Sequence, residues 1–262
     1  MKYKIGFIGA GNMAFALAKA IKNANLAKSI IASDVNKERT DFIKKELKIN
    51  VTQNNREVVD GSDIIFIAVK PQVIDPVLDG IKDIDKLVVS IAAGVKISRI
   101  EGKLKKARIV RVMPNTPCLV GEMAAGFAVS NKVTSGEVKI VEEILSAAGK
   151  AFYLKEDKLD AVTGLSGSGP AFVARLIEAF IEAGQKEGLS KDIATELSIQ
   201  TFLGTAKLLR DSGMSPDELV KLVSSPNGTT VAGREILEKS DYKDIIKKTV
   251  ERATQRSKEL GK

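Results

Sequence analysis

Lys4-Ile5-Gly6-Phe7-Ile8-Gly9-Ala10-Gly11-Asn12-Met13-Ala14 carries, within eleven residues, a strand, a glycine loop and the start of a helix. Its first five residues read as a buried strand, and Ala14, Leu17, Ala18 and Ile21 then recur at helical spacing over residues 12–23. A short glycine loop joins the two. A strand running through Gly-x-Gly into a helix opens backbone N–H groups at a helix N-terminus, where a pyrophosphate can approach closely. Gly9, Ala10, Gly11, Asn12 and Met13 are therefore the expected first contacts of a dinucleotide. Ala14 takes the place of a third glycine, since that position needs only a small residue for helix–strand packing.

Outward from this loop, short β-branched runs alternate with helical patterns up to about residue 155. Strands are expected at 4–8, 29–32, 63–69, 87–91, 108–113, 126–130 and 151–154, which argues for βαβ units and a doubly wound, Rossmann-type parallel sheet. The second strand ends at Ser33-Asp34, about 20 residues beyond the loop, where an acid would accept hydrogen bonds from an adenosine ribose. Asp34 would repel a 2′-phosphate and favours NADH; Ser33, Lys37 and Arg39 could hold that phosphate and favour NADPH. Ala68-Val69-Lys70-Pro71 and Ala92-Ala93-Gly94 follow later strands at the carboxyl edge, where small residues permit close approach of a ribose or nicotinamide. Lys70 reads as a cofactor contact or a solvated strand-end lysine rather than a catalytic one.

After Asp157 the strand signal stops, and helices are expected at 170–187, 190–210, 215–223, 231–239 and 241–260. The chain thus divides into a dinucleotide-binding part, residues 1–155, and an all-α dimerisation and substrate part, residues 156–262. Ser215-Pro216-Asp217-Glu218 has the N-cap, the first-position proline and the acid of a capping box, and Gly188 and Gly213 suit helix stops. Phe172, Val173, Leu176, Ile177, Phe180 and Ile181 surround most of one helix, and residues 197–206 carry no charge. So small a helical part cannot bury that much surface alone, and a homodimer through these helices is expected.

Ser224-Ser225-Pro226-Asn227-Gly228-Thr229-Thr230 interrupts the helical half with small, polar, turn-forming residues that feed directly into the next helix. Open N–H groups there would bind a small carboxylate. Composition narrows the chemistry further. The 262 residues carry a net charge of +8, which suits an anionic ligand, but acids and bases are interspersed as on a solvated helical face. With no Trp and three Tyr, nucleic-acid binding is not expected. One cysteine, Cys118, and no histidine exclude an internal disulfide and the usual zinc or iron sites, and also a Ser-His-Asp or Cys-His nucleophile system. Cys118 reads as a packed residue. No apolar run reaches the ~20 residues of a membrane span, Met1 to Lys4 lead into a strand rather than a signal peptide, and a cytoplasmic location is expected.

With these residues in view, the chain closely resembles pyrroline-5-carboxylate reductase. The similarity runs nearly end to end: residues 7–14, Val69-Lys70-Pro71-Gln72, Ser90-Ile91-Ala92-Ala93-Gly94, Met113-Pro114-Asn115-Thr116-Pro117, Thr163-Gly164-Leu165-Ser166-Gly167-Ser168-Gly169-Pro170-Ala171, and the Ser224–Thr230 run. The resemblance implies reduction of 1-pyrroline-5-carboxylate to L-proline, the last step of proline biosynthesis, with NADPH or NADH. It also implies a Rossmann domain followed by a helical domain that dimerises, sometimes into larger rings. Cofactor contacts would be Gly9, Gly11, Asn12, Met13, Ser33, Asn54, Ala68, Lys70 and Ala92-Ala93-Gly94; substrate contacts would be Ser225, Gly228, Thr229 and Thr230, with Glu156 nearby. Asn227 stands where relatives commonly carry a second glycine, and Leu222 where some carry a polar residue.

A cyclic imine can be protonated near neutral pH and then accepts hydride without a strong protein acid, which fits a chain lacking histidine. The backbone of Gly228, Thr229 and Thr230 would hold the carboxylate. The Thr230 hydroxyl would either hydrogen-bond the ring nitrogen and relay a proton, or merely cap its helix. Two other readings compete. A dehydrogenase of similar architecture for a β-hydroxy acid or another imine would need a general base, and residues 170–187 offer only Lys186. A dinucleotide-binding regulatory protein would have no need of the Ser225–Thr230 loop.

Overall fold

The computed structural model describes residues 2–261. Among them, eight strands form one sheet in the order β3-β2-β1-β4-β5-β6-β7-β8: β1 Tyr3–Ile8, β2 Ala27–Ser33, β3 Asn50–Thr52, β4 Ile64–Ile67, β5 Leu87–Ser90, β6 Arg108–Met113, β7 Met123–Val129 and β8 Gly149–Tyr153. The intervening helices are α1 Asn12–Asn23, α2 Lys37–Leu47, α3 Asn55–Asp60, α4 Ile74–Gly80, α5 Ile97–Lys103 and α6 Ser135–Ser146. Strands β1 to β6 are mutually parallel, each crossover carrying a helix, while β7 runs antiparallel to β6. The reversal has a local cause. Only residues 114–122, with the short turn Thr116–Val120 among them, separate β6 from β7, too little chain for a crossover, and α6 then restores a parallel β8.

Strand periodicity sorts the core into two faces. Ile5, Phe7, Ile64, Phe66, Leu87 and Val89 point to the side covered by α1, α2 and α6, where Leu17, Ile21, Ile43 and Leu145 join them. Ile8, Ile65, Ile67, Val88 and Ile109 point to the other, against Val58, Ile74, Leu78 and Ile100 of α3, α4 and α5. The Phe7 and Phe66 rings stack with centroids 4.8 Å apart. Each such side chain, fully removed from water, contributes about 1.5–3 kcal/mol, so the two layers fix strand register. Because the chain goes outward from β1 to β3 and returns to β4, the order reverses between β1 and β4. That is the switch point at which this class of sheet opens a crevice.

β3 went unread in the sequence: three residues with a single apolar side chain, held as an edge strand by pairing with β2.

Beyond β8 come α7 Leu159–Val162, a π-helical turn Thr163–Gly167, and the helices α8 Gly169–Lys186, α9 Lys191–Ser212, α10 Pro216–Leu222, α11 Thr229–Lys239 and α12 Tyr242–Leu260. The described chain forms two compact units, one of residues up to Pro170 together with those from Val250 on, the other of Ala171–Thr249. The second is all helical. Gly188 and Gly213 take positive φ (94° and 70°) at the ends of α8 and α9, and the Ser215–Glu218 capping box starts α10. Phe180 and Phe202 meet edge to face at 5.2 Å, and Gly184 lets α8 approach Ala194. Yet no residue of α8 is fully buried within the chain, and Val173, Leu176, Phe180, Leu197 and Leu203 stand exposed.

Candidate active site

At the switch point, Gly9 (φ 100°) donates its N–H to Ser33 O at 2.8 Å, and a Cβ there would sit 2.5 Å from Ala68 O. Only glycine passes that close to the end of β4. Gly11 is the N-cap of α1 and makes no side-chain cap, and a Cβ built on it meets nothing within 4 Å. The first intrahelical bond runs from Phe15 N to Gly11 O, so the N–H groups of Asn12, Met13 and Ala14 have no partner among the described residues. Open donors, a helix N-terminus and vacant space above a glycine fit a pyrophosphate.

Around this loop the charged and polar residues are already organised. Asp34 accepts from Ala10 N through one oxygen (2.7 Å) and from Asn36 N through the other (2.9 Å), so its carboxylate braces the loop and the turn into α2. Arg39 Nε donates to Ala10 O at 3.0 Å and Nη2 to Asn12 Oδ1 at 3.2 Å, its guanidinium lying over the Phe42 ring. Lys37 is exposed beside it. Ser33 is fully buried; its hydroxyl is 2.7 Å from Asn55 Oδ1, and it reaches the loop through its carbonyl instead. Asn54 is exposed as the N-cap of α3, accepting from Arg56 N.

Further along the carboxyl edge, Ala68 and Val69 are half-buried directly beside Gly9, and Lys70, the next residue, is exposed. After β5, Ala92 is buried, Ala93 exposed, and Gly94 turns the chain at φ 76°. Glu156 stands behind this turn. One oxygen of its carboxylate accepts from Ile97 N (2.8 Å) at the start of α5 and from Arg111 Nη1 (3.0 Å) of β6. Arg111, only 5 % exposed, escaped the sequence reading, although a charge inside the apolar run 109–113 was the available signal. Asn115 ties the same region together: its Oδ1 accepts from Ala124 N and its Nδ2 donates to Ser166 O in the π-helical turn. Such turns frequently mark functional sites. Here Gly164 and Gly167 let it press against Thr254 and Met113.

In the second unit, Ser225 to Gly228 form a turn closed by Gly228 N to Ser225 O at 3.0 Å, with Asn227 left-handed at φ 60°. The helix begins two residues earlier than its apolar pattern suggests, at Thr229, with Gly228 as an N-cap that makes no side-chain bond. Ala232 N to Gly228 O is the first intrahelical bond. The open donors are therefore the N–H groups of Thr229, Thr230 and Val231, since that of Gly228 is spent within the turn. The Thr229 and Thr230 hydroxyls are exposed, and among the described residues neither has a partner. Leu222 is exposed nearby in sequence. Cys118, by contrast, is buried, and burial pushes its thiol up to about 11. It has none of the surroundings of a nucleophile.

A doubly wound sheet with an open glycine loop at its switch point is the architecture of dinucleotide-binding proteins, oxidoreductases foremost among them. Residues 4–94 match a family model described as NADP oxidoreductase, coenzyme F420-dependent, and residues 156–260 one described as pyrroline-5-carboxylate reductase dimerisation. The chain is 44% identical to the pyrroline-5-carboxylate reductase of Methanosarcina acetivorans, over 99% of this chain and 98% of that one. It is 40% identical to that of Synechocystis, over the full length of both. Among solved structures it superposes on a pyrroline-5-carboxylate reductase from Coxiella burnetii with a TM-score of 0.94, at 33% identity over all of both chains. The NADP-bound pyrroline carboxylate reductase of Plasmodium falciparum gives 0.87, at 36% identity over 99% of this chain and 98% of that one. The chain belongs to the pyrroline-5-carboxylate reductase family.

Proposed function

We propose that this reductase converts 1-pyrroline-5-carboxylate to L-proline. A bound reduced nicotinamide supplies the hydride. Gly9, Ala10, Gly11, Asn12 and Met13 hold the pyrophosphate, Asp34 and Asn54 border the adenosine side, and Ala68, Val69, Lys70 and Ala92-Ala93-Gly94 line the approach of the ribose and nicotinamide. Ser33 supports the loop from beneath. Arg39 and Lys37 offer cations to a 2′-phosphate while Asp34 is occupied by main-chain N–H groups, which supports NADPH as the working cofactor.

The observation that carries the substrate assignment is the uncapped start of α11, with its three open N–H groups and two unpartnered hydroxyls. Thr229, Thr230 and Val231 N–H groups receive the substrate carboxylate, with Ser225 and Gly228 shaping the turn beneath it. The Thr230 hydroxyl oxygen accepts from the N–H of the protonated ring nitrogen, holding in place the proton whose presence makes the C=N carbon electrophilic. Because no cap bond involves Thr230, its hydroxyl is not needed to build the helix. A regulatory protein that only binds the dinucleotide would have no use for these donors. The same reading includes a cytoplasmic homodimer through α8 and α9, alone or in a ring of dimers, and no nucleic-acid partner.

The test is to mix the pure protein with the cyclic imine acid and either NADPH or NADH and follow loss of reduced-cofactor absorbance. Turnover is expected with both, with the lower KM for NADPH, and absence of turnover with either would overturn the assignment. In Thr230→Val, loss of a hydrogen bond to a charged group is expected to lower kcat/KM about 10- to 100-fold with an unchanged Tm. Full turnover with a lowered Tm would make Thr230 a structural residue instead.

A further inference from the structure

We propose that Glu156 is a positioning residue for the cofactor: it sets the Ala92–Gly94 turn against which the nicotinamide half rests, rather than binding substrate. Three observations converge on that turn. The Glu156 carboxylate accepts from Ile97 N, the residue at which the turn passes into α5, so the far end of the turn is pinned by a charge-assisted bond. The same oxygen accepts from Arg111 Nη1, and this buried guanidinium has no other partner among the described residues. The pair fixes Glu156 to the middle of the sheet and leaves it little freedom to turn outward to a ligand.

The third contact comes from the end of the chain. The last turn of α12 lies across the outside of the turn: a Cβ on Gly94 would meet Leu260 at 3.6 Å, and one on Gly261 would meet Gly94 O at 3.1 Å. That end of α12 is itself anchored, since Ser257, buried, hydrogen-bonds Asp160 Oδ1 at 2.6 Å, and Gly164 admits Thr254 at a separation no side chain would allow. Residues 92–97 are therefore held by Glu156 at one end and by α12 over the other. With Gly94 at φ 76° and no side chains larger than methyl at 92–94, the turn's own bonds are two long ones, Val95 N to Ala92 O at 3.3 Å and Ala92 N to Ser90 Oγ at 3.4 Å. Glu156 adds the shorter, charge-assisted bond at Ile97, 2.8 Å, that anchors the turn where it enters α5.

This rests on nicotinamide binding at the carboxyl edge and on nothing about the imine. The test compares wild type, Glu156→Gln, and the charge-free pair Arg111→Met with Glu156→Leu, which leaves no buried charge unpaired. Dissociation constants for NADPH are read from its fluorescence without substrate, and amide exchange is followed at residues 92–97. Glu156→Gln is expected to raise the NADPH Kd about tenfold, the equivalent of one charge-assisted hydrogen bond, and to speed exchange at 92–97. The KM for the imine acid at saturating NADPH should be unchanged. The paired variant should regain the wild-type Tm yet keep the raised Kd. An unchanged Kd and exchange in both variants, or a rise confined to the KM for the imine acid, would overturn the proposal. NADPH binding by wild type without turnover of the imine would sink the functional reading alone.

Discussion

At the scale of single residues, the substrate turn depends on one backbone angle. Asn227 sits at φ 60°, in the left-handed region that glycine enters most freely. A left-handed residue with an ordinary Cβ is destabilised by roughly 1–2 kcal/mol, and Asn is among the few that tolerate it. Asn227→Gly is therefore expected to leave kcat/KM within about twofold, whereas Asn227→Ala should raise the imine-acid KM about tenfold through a distorted turn, with the NADPH KM unchanged. Steady-state kinetics with each substrate varied in turn separate the two. Cys118 makes the opposite kind of prediction. Its thiol is held neutral by burial up to about 11. The folded state thus keeps a proton that the unfolded chain releases near pH 8.5, so stability is undiminished below that pH and falls as pH rises toward 11. Denaturant midpoints measured from pH 8 to 11 should drop more steeply for wild type than for Cys118→Ala, and a thiol reagent should label the native protein far more slowly than the unfolded one.

At the scale of elements, the π-helical turn Thr163–Gly167 is built on glycines that work by absence. A Cβ on Gly164 would lie 2.1 Å from Thr254 Oγ1 and 2.9 Å from both Thr254 N and Val250 O, and backbone atoms cannot swing aside as a side chain can. Gly164→Ala is expected to cost about 1–3 kcal/mol, read as a lowered denaturant midpoint, and to loosen the Asn115–Ser166 link that the turn carries. How legible these elements were in the sequence follows from what holds each one. The strand, glycine loop and helix of residues 3–23 are dictated by local pattern, so their positions could be read directly, as could the Ser215 capping box. β3 exists only because β2 offers an edge, the antiparallel β7 only because a crossover is missing, and the π-turn only because α12 presses on it. None of those causes is local. The same divide runs through the site: the open donors of α1 and α11 announce themselves in sequence, whereas the Arg111–Glu156–Ile97 arrangement joins three distant segments by long-range contacts.

At the scale of the whole molecule, the question is what covers the apolar surface of the second unit. Val173, Leu176, Phe180, Leu197 and Leu203, all large and apolar, are 43–56 % exposed on α8 and α9, far beyond the scattered apolar residues normal for a monomer's surface. A second copy of the chain is the occupant consistent with the dimerisation region matched over residues 156–260. A stable interface removes about 800 Å² per partner from water, and a charge at its apolar centre would be buried without a counter-ion, which is strongly destabilising. Leu176→Arg is therefore expected to shift sedimentation from dimer to monomer at micromolar concentration while leaving NADPH affinity unchanged within about twofold, since the glycine loop lies in the other unit. Imine reduction should fall with the dimer fraction and recover as protein concentration rises. A variant that sediments as a dimer with full activity would show that α8 is covered by something other than its own copy.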